Sequence, residues 1–415
     1  MRDLLRHREF RLLLAAQTLS MLGEWTLLLV LGIWAKTLTG SSAVAGLVVF
    51  AMAAPGVLAP LAGVLVDRLP RRTVLVGVDS AGAAAVSCLW LVRGPEQLWL
   101  LFAVAAWCGA AGVVTNAAVS GLVQAVLPAD LLGAANGALG TVRQGLRLVG
   151  PLAGAGLFAA AGGRWVATAT AVALLLAVVV LLRLRLRELP GERTACAEPV
   201  AVRWRREVLA GLVHLWRTRA LRRVVRCTLV LSASVGLVEA TVYALVEDGL
   251  HRPPEFVGVL VSVQGAGAVA GGVGAGLLAA RVGEERLVAA GAALVAAGIG
   301  AAAVGPLPVV LAGFLLVGAG LTVLAVAAAT SLQRRTPNAV MGRVAAGYET
   351  VVSVPGTASI AVGALLVGVL PFQVVLLVSA AGCALAAVLV AVGADRDPAP
   401  PAREPALAAP RVGNP

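Results

Sequence analysis

Long uncharged stretches recur along the chain, separated by short polar segments. Four of them lack Asp, Glu, Lys and Arg altogether, at residues 43–66, 98–127, 256–280 and 372–394. A helix needs about 20 apolar residues to cross the hydrocarbon core of a bilayer. Residues 287–333 are also uncharged but are too long for one span, so the turn at Gly305–Pro308 divides them, and Pro371 divides residues 350–394.

Apolar runs that hold one or two ionisable residues complete the set of predicted membrane spans. We count twelve, near residues 12–35, 43–66, 74–92, 98–127, 137–161, 165–182, 225–246, 256–280, 287–304, 309–332, 344–370 and 372–393. An even number of spans places both termini on one side of the membrane. The pattern therefore predicts an all-α polytopic membrane protein.

The composition agrees with this prediction, because 60% of the residues are hydrophobic and only 13% are charged. Soluble domains are about 45–50% apolar and about 25% charged. A soluble enzyme is therefore excluded. Disorder is also excluded, because so many apolar residues must be buried in protein or lipid.

The net charge of +12 marks topology and does not indicate nucleic-acid binding. If the termini are cytoplasmic, 29 of the 33 basic residues fall on the inner side. The outer side keeps Lys36, Arg93, Arg164 and Arg252. This bias follows the positive-inside rule and predicts a bacterial inner-membrane protein with cytoplasmic termini.

A weak internal repeat divides the chain into halves, as in many transporters. Three residues of the first half recur 209 positions later: Pro128, Gly133 and Gly154 correspond to Pro337, Gly342 and Gly363. Two more recur 213 positions later: Gly63 and Arg68 correspond to Gly276 and Arg281. We predict a six-helix bundle at 1–185, a cytoplasmic linker with an amphipathic surface helix at 186–220, a second six-helix bundle at 221–393 and a disordered tail at 394–415.

Enzyme signatures are missing from the sequence. The only lysine, Lys36, lies in an Ala-Lys-Thr context that does not form a phosphate-binding loop, so no ATP-hydrolysing site is predicted. The three histidines are scattered, and the five cysteines show no ligand or disulfide spacing. We expect no cofactor and no metal site, and a membrane-embedded enzyme is disfavoured.

One loop carries a specific motif, Gly63-Val-Leu-Val-Asp67-Arg68-Leu-Pro-Arg71-Arg72. With twelve spans in two halves, it resembles the signature of the major facilitator superfamily. More narrowly, the chain is similar to the branch containing enterobactin exporters and macrolide or multidrug efflux proteins. That similarity rests on residues 10–13, 17–20, 22–25, 136–139, 150–151 and 342–344. The resemblance implies a secondary transporter of two pseudo-symmetric six-helix bundles working by alternating access.

The resemblance also implies that this loop is a gate latch. Asp67 would pair with the N-terminus of the eleventh helix near Gly342 and Arg343, where a carboxylate stabilises by about 0.3–1 kcal/mol. The alternative is that these arginines only enforce topology. The gating residues implied are Gly63, Asp67, Arg68, Arg71, Arg72, Asp130 and Arg343. In the second half Ala280 replaces the aspartate and Glu284 and Glu285 replace the arginine pair, which predicts asymmetric gating.

A second motif, Gly150-Pro151-x-x-Gly154, resembles the fifth-helix motif of proton-coupled exporters. It departs from that pattern because Ala155 replaces the second glycine of the pair. The fourth span also lacks the arginine found in many proton antiporters. Both departures weaken the implied proton coupling without excluding it.

Ionisable groups inside spans cost about 2.5–3.5 kcal/mol each on insertion scales, so they are functional candidates. Glu24 and Glu239 occupy equivalent first helices of the two halves, which the resemblance places around the cavity. We predict that they bind protons or a cationic substrate; the alternative is a buried structural pair. Further cavity contacts are predicted at Trp25, Asn116, Tyr243 and Gln264.

Four more charged residues are predicted to form a network nearer the inner surface, namely Asp79, Arg143, Arg147 and Glu349. Arg143 and Arg147 lie one turn apart on the fifth helix. They could reach an anionic substrate or pair with Asp79 or Glu349 within the gate.

These observations predict a proton-coupled secondary transporter that exports a small amphipathic drug-like or siderophore-like molecule. An importer of the same superfamily is one alternative, and a transport-inactive receptor or scaffold is another. We expect the lipid bilayer, a small-molecule substrate and protons as partners, no nucleic acid, and a monomer.

Overall fold

The computed structural model describes residues 7–58, 69–128, 131–184, 209, 211–336 and 341–394. Its first half contains α1 (Arg8–Thr39), α2 (Ser42–Ala53), α3 (Arg71–Ser87), α4 (Leu98–Val126), α5 (Leu132–Ala161) and α6 (Gly163–Leu182). Its second half contains α7 (Arg219–Ala244), α8 (Val257–Val282), α9 (Glu284–Val304), α10 (Leu307–Arg335), α11 (Met341–Leu366) and α12 (Phe372–Ala394).

Three helices change their winding near one end. α2 and α3 continue as 3₁₀ turns over Ala54–Leu58 and Cys88–Leu91. α7 continues as a wider π turn over Leu245–Gly249. π turns often occur at functional sites.

The all-α polytopic fold is confirmed. Ten of the described helices are long and apolar enough to cross a membrane, and α2 belongs to a shorter apolar helix. α5 has 30 residues, which at about 1.5 Å per residue exceeds the thickness of the hydrocarbon core. The predicted divisions are also correct, because α9 ends before Gly305 and α12 begins after Pro371.

The turn between α1 and α2 is set by its local sequence. Gly40 adopts φ 68°, and its amide donates to the carbonyl oxygen of Lys36 at 2.8 Å. A left-handed glycine of this kind is the usual C-terminal stop of a helix. The next helix begins when Ser41 Oγ accepts a hydrogen bond from the amide of Val44.

The two halves pack their helices in the same pattern. In the first half α1 packs on α5 and α6, α3 on α4 and α6, and α2 on α4. In the second half α7 packs on α11 and α12, α9 on α10 and α12, and α8 on α10. Adding six to each helix number converts one set into the other. This equivalence establishes two pseudo-symmetric six-helix bundles.

Large apolar side chains cover the outer faces of the bundles. Examples on α6 and α12 are Leu175, Val179, Leu385 and Val388, each exposed by about half. In a chain of this composition such faces contact lipid. Their exposure is therefore consistent with membrane embedding.

The side where α1 begins and α12 ends is called the terminal side below, and the other is called the opposite side. Contacts between the halves concentrate toward the opposite side. Residues of α1, α2 and α5 (Leu29, Ile33, Ala45 and Ala155) belong to the large core cluster of the second half. A further cluster packs Leu47, Val49 and Phe50 of α2 against Ala240, Ile360 and Ala364. The opposite side of the molecule is therefore closed.

The described part of the linker lies against the second bundle. Residues 211–217 are helical, and Leu215 is buried among Leu221, Val225, Leu332 and Val344. Leu209, Val213 and Trp216 on the same segment are exposed. The surface-helix interpretation and the four domain boundaries stay predictions. Residues 185–208 and the tail beyond 394 lie outside the described residues.

Candidate functional site

A cavity of about 660 Å³ opens between α7, α10 and α11 of the second half. Leu332, Gln333 and Met341 line it at the terminal side, and Glu239 and Ile360 line it at greater depth. Leu, Val and Ala supply nine of its 21 lining residues, and most of the surface that faces the cavity is apolar. Drug-sized ligands bind in cavities of about 300–1,000 Å³. The size and apolar walls therefore suit a small organic molecule.

Two carboxylates and one phenol stand out on this wall. Glu239 comes from α7, and Tyr348 and Glu349 come from α11. Tyr348 Oη lies 3.2 Å from Thr228 Oγ1 on α7, which fixes its ring across the cavity. No Lys, Arg or His belongs to the described lining of this cavity. The acidic groups can therefore attract a cation into apolar surroundings.

The predicted cavity residues do not all meet at this cavity. Glu239 lines it, and Gln264 lines a small adjoining cavity of about 50 Å³ that also contains Glu239. Tyr243 is buried, and its hydroxyl contacts Gly32 of α1 at the closed opposite side. Glu24, Trp25 and Asn116 are absent from the lining formed by the described residues.

The two arginines of α5 face different carboxylates. Arg143 Nη2 donates to Asn116 Oδ1 at 2.9 Å, and its charge acts on Glu24. Arg147 lies 6.0 Å from the ring centre of Trp25, and its charge acts on Glu239. These neighbours differ from the predicted partners Asp79 and Glu349. Glu24 of the first half and Glu239 of the second half therefore each have one arginine of α5 nearby.

The motif Gly150-Pro151-x-x-Gly154 places α5 between α1 and α8. Gly154 contacts the carbonyl oxygen of Thr26, and Gly150 leaves no room for a Cβ beside Trp25. On the other side of α5, Pro151 and Ala155 contact Gly258 of α8. Small residues permit this close approach of helix backbones. The motif therefore forms part of the contact between the two halves.

Asp79 is buried in the first bundle, with 3% of its surface exposed. Ser20 Oγ of α1 donates to Asp79 Oδ1 at 2.9 Å, whereas Asp79 Oδ2 has no hydrogen-bond partner. Gln17 lies one turn from Ser20 on α1, is 1% exposed, and has no partner for either amide atom. A buried polar group without a partner is unusual in a native protein. The sequence did not identify Gln17 and Ser20 as site residues.

An ion pair joins the two halves on the opposite side. Lys36 Nζ of α1 lies 2.5 Å from Glu247 Oε2 in the π turn after α7. The same ammonium donates to Ser42 Oγ at 2.7 Å and to the carbonyl oxygen of Gly40 at 3.1 Å. Lys36 is 5% exposed. Sequence reasoning placed Lys36 only as a topological charge, and it missed this contact because nothing in the sequence shows which loops meet.

On the terminal side, Arg71 and Arg72 anchor the start of α3. Arg71 Nη1 donates to the carbonyl oxygen of Gly121 on α4 at 2.6 Å. Arg72 donates to the carbonyl oxygens of Leu181 and Leu182 at the end of α6, at 2.9 and 2.7 Å. Cations are favourable at helix C-termini, where carbonyl groups lack partners.

The equivalent position in the second half uses acidic residues instead. Glu284 at the start of α9 pairs with Arg334 and Arg335 of α10, at 2.6 and 3.7 Å. Glu285 pairs with Arg335 at 3.4 Å and with Arg223 of α7 at 2.8 Å. In the first half, arginines at the start of α3 contact the neighbouring helices, whereas in the second half glutamates at the start of α9 do so. The two loops therefore differ in the sign of their charge, which is the difference on which the prediction of asymmetric gating rests.

Several predicted gate residues lie outside the described residues: Gly63, Asp67, Arg68 and Asp130. The predicted latch on α11 therefore stays a prediction. The side chain of Arg343 is exposed, and its carbonyl oxygen contacts Gly211 of the linker. Glu349 lines the cavity. Within the described residues, no group of three or more His, Cys, Asp or Glu side chains could hold a metal ion.

These features together define a membrane transporter fold: two equivalent helix bundles, closed against each other on one side, with a cavity reached from the other. The family model of the Major Facilitator Superfamily matches residues 13–247 and 224–413. The chain belongs to the Major Facilitator Superfamily. It is a multi-pass membrane transporter for a small-molecule substrate, and not an enzyme.

Solved structures of transporters share this fold at low sequence identity. A bacterial homologue of the iron transporter ferroportin, in an inward-facing state, is 18% identical with a TM-score of 0.69, covering 94% of this chain and 99% of that one. The nucleoside transporter NupG is 14% identical with a TM-score of 0.73, and the match covers 93% of this chain and 98% of NupG. A POT family transporter in complex with a thioalcohol-conjugated peptide is 8% identical with a TM-score of 0.71, and the match covers 94% of this chain and 96% of that transporter. No curated protein matches the chain.

Proposed function

We propose that this protein is a secondary active transporter that exports a small amphipathic cation in exchange for protons. The observation that carries the proposal is the apolar cavity of about 660 Å³ with Glu239 and Glu349 on its wall. A drug-like monocation fits this chemistry better than an anionic siderophore, since its charge would meet carboxylates. Tyr348 adds a ring face, and cation–π contact contributes about 0.5–2 kcal/mol.

Alternating access is supported by where the halves touch. The opposite side is closed by the Lys36–Glu247 pair and by apolar contacts of α1 and α2 with the second half. The cavity reaches Gln333 and Met341 at the terminal side. With the terminal side cytoplasmic, as the distribution of arginines favours, this conformation would take up substrate from inside a bacterial cell.

Proton exchange is proposed at Glu24 and Glu239. Each carboxylate is near one arginine of α5, Arg143 and Arg147 respectively. Protonation of either carboxylate would remove its attraction for that arginine. Because α5 contacts both α1 and α8, release of an arginine would loosen the contact between the halves. Proton binding would thereby be linked to the change of conformation.

The test is transport by the full-length protein in inverted membrane vesicles energised by respiration. We would compare the lipophilic cation tetraphenylphosphonium with a ferric catecholate siderophore as an anionic probe. We expect proton-dependent accumulation of the cation only. Accumulation of the anion alone, or equal cation uptake in vesicles that lack the protein, would contradict the proposal.

Variants separate the two carboxylate roles. Glu349→Gln keeps the shape of the side chain and should weaken cation binding while leaving proton-driven uptake intact at high substrate concentration. Glu24→Gln and Glu239→Gln should abolish proton dependence. Ser353→Ala is the matched control on the same helix and the same cavity wall, and it should transport normally. Unchanged transport in all three carboxylate variants would remove the cavity assignment.

A further inference from the structure

The first bundle contains a buried group of oxygen atoms that the substrate cavity does not use. Gln17 and Ser20 share one face of α1, and Ser20 donates to Asp79 of α3 at 2.9 Å. Asp79 Oδ2 and both amide atoms of Gln17 lack hydrogen-bond partners. Gln17 is 1% exposed and Asp79 is 3% exposed. Leaving a buried polar group unpaired costs about 1–3 kcal/mol, and more when it is charged.

The charges around this group do not cancel. Glu24 on α1 is near both Asp79 and Arg143. The described part of α4 has no charged residue, and α6 carries only Arg164, at its opposite-side end. Arg147 of α5 lies over Trp25 and acts on Glu239 in the other half. When both carboxylates are ionised, they outnumber the guanidinium of Arg143 beside them and leave one negative charge in this part of the bundle.

We propose that Gln17, Ser20 and Asp79 form a binding site for one Na⁺ ion between α1 and α3. The three residues would supply the amide Oε1, the hydroxyl Oγ and the carboxylate oxygens, which are hard ligands of the kind that such cations prefer. Ser20 Oγ keeps lone pairs for a cation because its hydrogen points to Asp79. This site is separate from the substrate cavity and does not depend on the proposed function.

The same observations favour a monovalent metal cation, here Na⁺, over a proton or a divalent cation. A single proton would satisfy Asp79 Oδ2 but would supply no positive centre shared by Gln17 and Ser20. A divalent cation would turn the net charge from one negative to one positive, which the apolar surroundings disfavour. A monovalent metal cation both balances the charge and uses several oxygens.

The direct test is binding of ²²Na⁺ to the purified full-length protein in detergent, with choline chloride keeping the ionic strength constant. We expect saturable binding that unlabelled Na⁺ competes and choline does not. Asp79→Asn should abolish it, and Gln17→Leu and Ser20→Ala should each weaken it at least tenfold. Glu349→Gln, which alters only the substrate cavity, should bind ²²Na⁺ normally.

Two results would overturn the proposal. One is the absence of saturable binding to wild-type protein that elutes as a single folded species. The other is unchanged binding in the variants. If Asp79→Asn does not fold, Gln17→Leu and Ser20→Ala decide the question by themselves. Proton release that depends on Asp79, without any ²²Na⁺ binding, would identify a proton site and equally reject sodium. Tetraphenylphosphonium transport is measured separately, so failure here leaves the proposed function standing.

Discussion

The ion pair between Lys36 and Glu247 makes a quantitative prediction about the closed opposite side. Lys36→Met removes the ammonium while keeping an unbranched chain of similar length. In the closed state the ammonium contacts Glu247, Ser42 Oγ and the Gly40 carbonyl oxygen. In the open state Lys36 and Glu247 would each be hydrated. The substitution therefore destabilises the closed state selectively.

The size of the effect follows from how buried the pair is. Removing one partner of a fully buried pair costs about 3–5 kcal/mol, and an exposed pair contributes about 0–1 kcal/mol. The Lys36 side chain is 6% exposed and that of Glu247 is 45% exposed, so an intermediate value of about 1–3 kcal/mol is expected. This corresponds to a shift of about 5–150-fold toward the open state.

The assay is cysteine labelling of a position buried by closure. Ile33 of α1 is 0% exposed and packs in the core cluster shared with the second half. In a background without the native cysteines, Ile33→Cys should react with a membrane-impermeant maleimide in proportion to the open population. Lys36→Met should accelerate labelling about 5–150-fold.

The charge-swapped double variant is the internal control for this prediction. Lys36→Glu or Glu247→Lys alone should speed labelling, and the two together should restore slow labelling, because the attraction is re-formed. Labelling that does not change in Lys36→Met would refute the reasoning. A double variant that labels as fast as the single ones would also refute it.

Two further predictions concern packing and the terminal-side charges. Gly154→Leu should abolish transport and lower thermal stability, because Gly154 contacts the Thr26 carbonyl oxygen. The control is Gly156→Leu, which should do neither because a Cβ at Gly156 meets open space. Equal effects of the two variants on size-exclusion profiles after heating would contradict this prediction. Glu284→Gln should reduce stability by about 1 kcal/mol at low salt, through loss of its pairing with Arg334. This difference should shrink in 1 M salt, where the Debye length is about 3 Å, and a salt-independent difference would argue against an ionic origin.

Much of the fold was predictable because the bilayer imposes a simple length rule on sequence. An uncharged run that is too long for one membrane span must leave the bilayer and turn in water. Gly305 and Pro371 therefore marked correctly where α9 is separated from α10 and α11 from α12. The ends were less predictable. α1 begins at Arg8 and α7 begins at Arg219, because polar helix turns extend beyond the hydrocarbon core and hydropathy does not register them.

The site was less predictable than the fold. Intramembrane charge singled out Glu239 as a cavity residue, and it lines the cavity. Glu349 also lines the cavity, although the sequence placed it in the charge network nearer the inner surface. The partners of Arg143 and Arg147 could not be read from sequence, because one turn of helix separates them and yet they face carboxylates of different halves. Lys36 and Glu247 lie in different halves, and no local pattern shows that their loops meet.

The sequence did not reveal the unpartnered atoms of Gln17 and Asp79 for a different reason. Gln17 and Ser20 carry no charge, so an inspection of ionisable groups omits them. Their importance appears only when α1 and α3 are packed together and each buried atom is checked for a hydrogen-bond partner.

The most direct test of alternating access measures two distances in the same molecules. One pair of labels, at Glu96 and Arg252, reports the opposite side, and a second pair, at Thr73 and Arg334, reports the terminal side; each pair joins one residue of each half. On adding tetraphenylphosphonium and an opposing proton gradient, we expect the opposite-side distance to lengthen while the terminal-side distance shortens. Distances that stay fixed, or that lengthen together on both sides, would contradict alternating access by two rocking bundles.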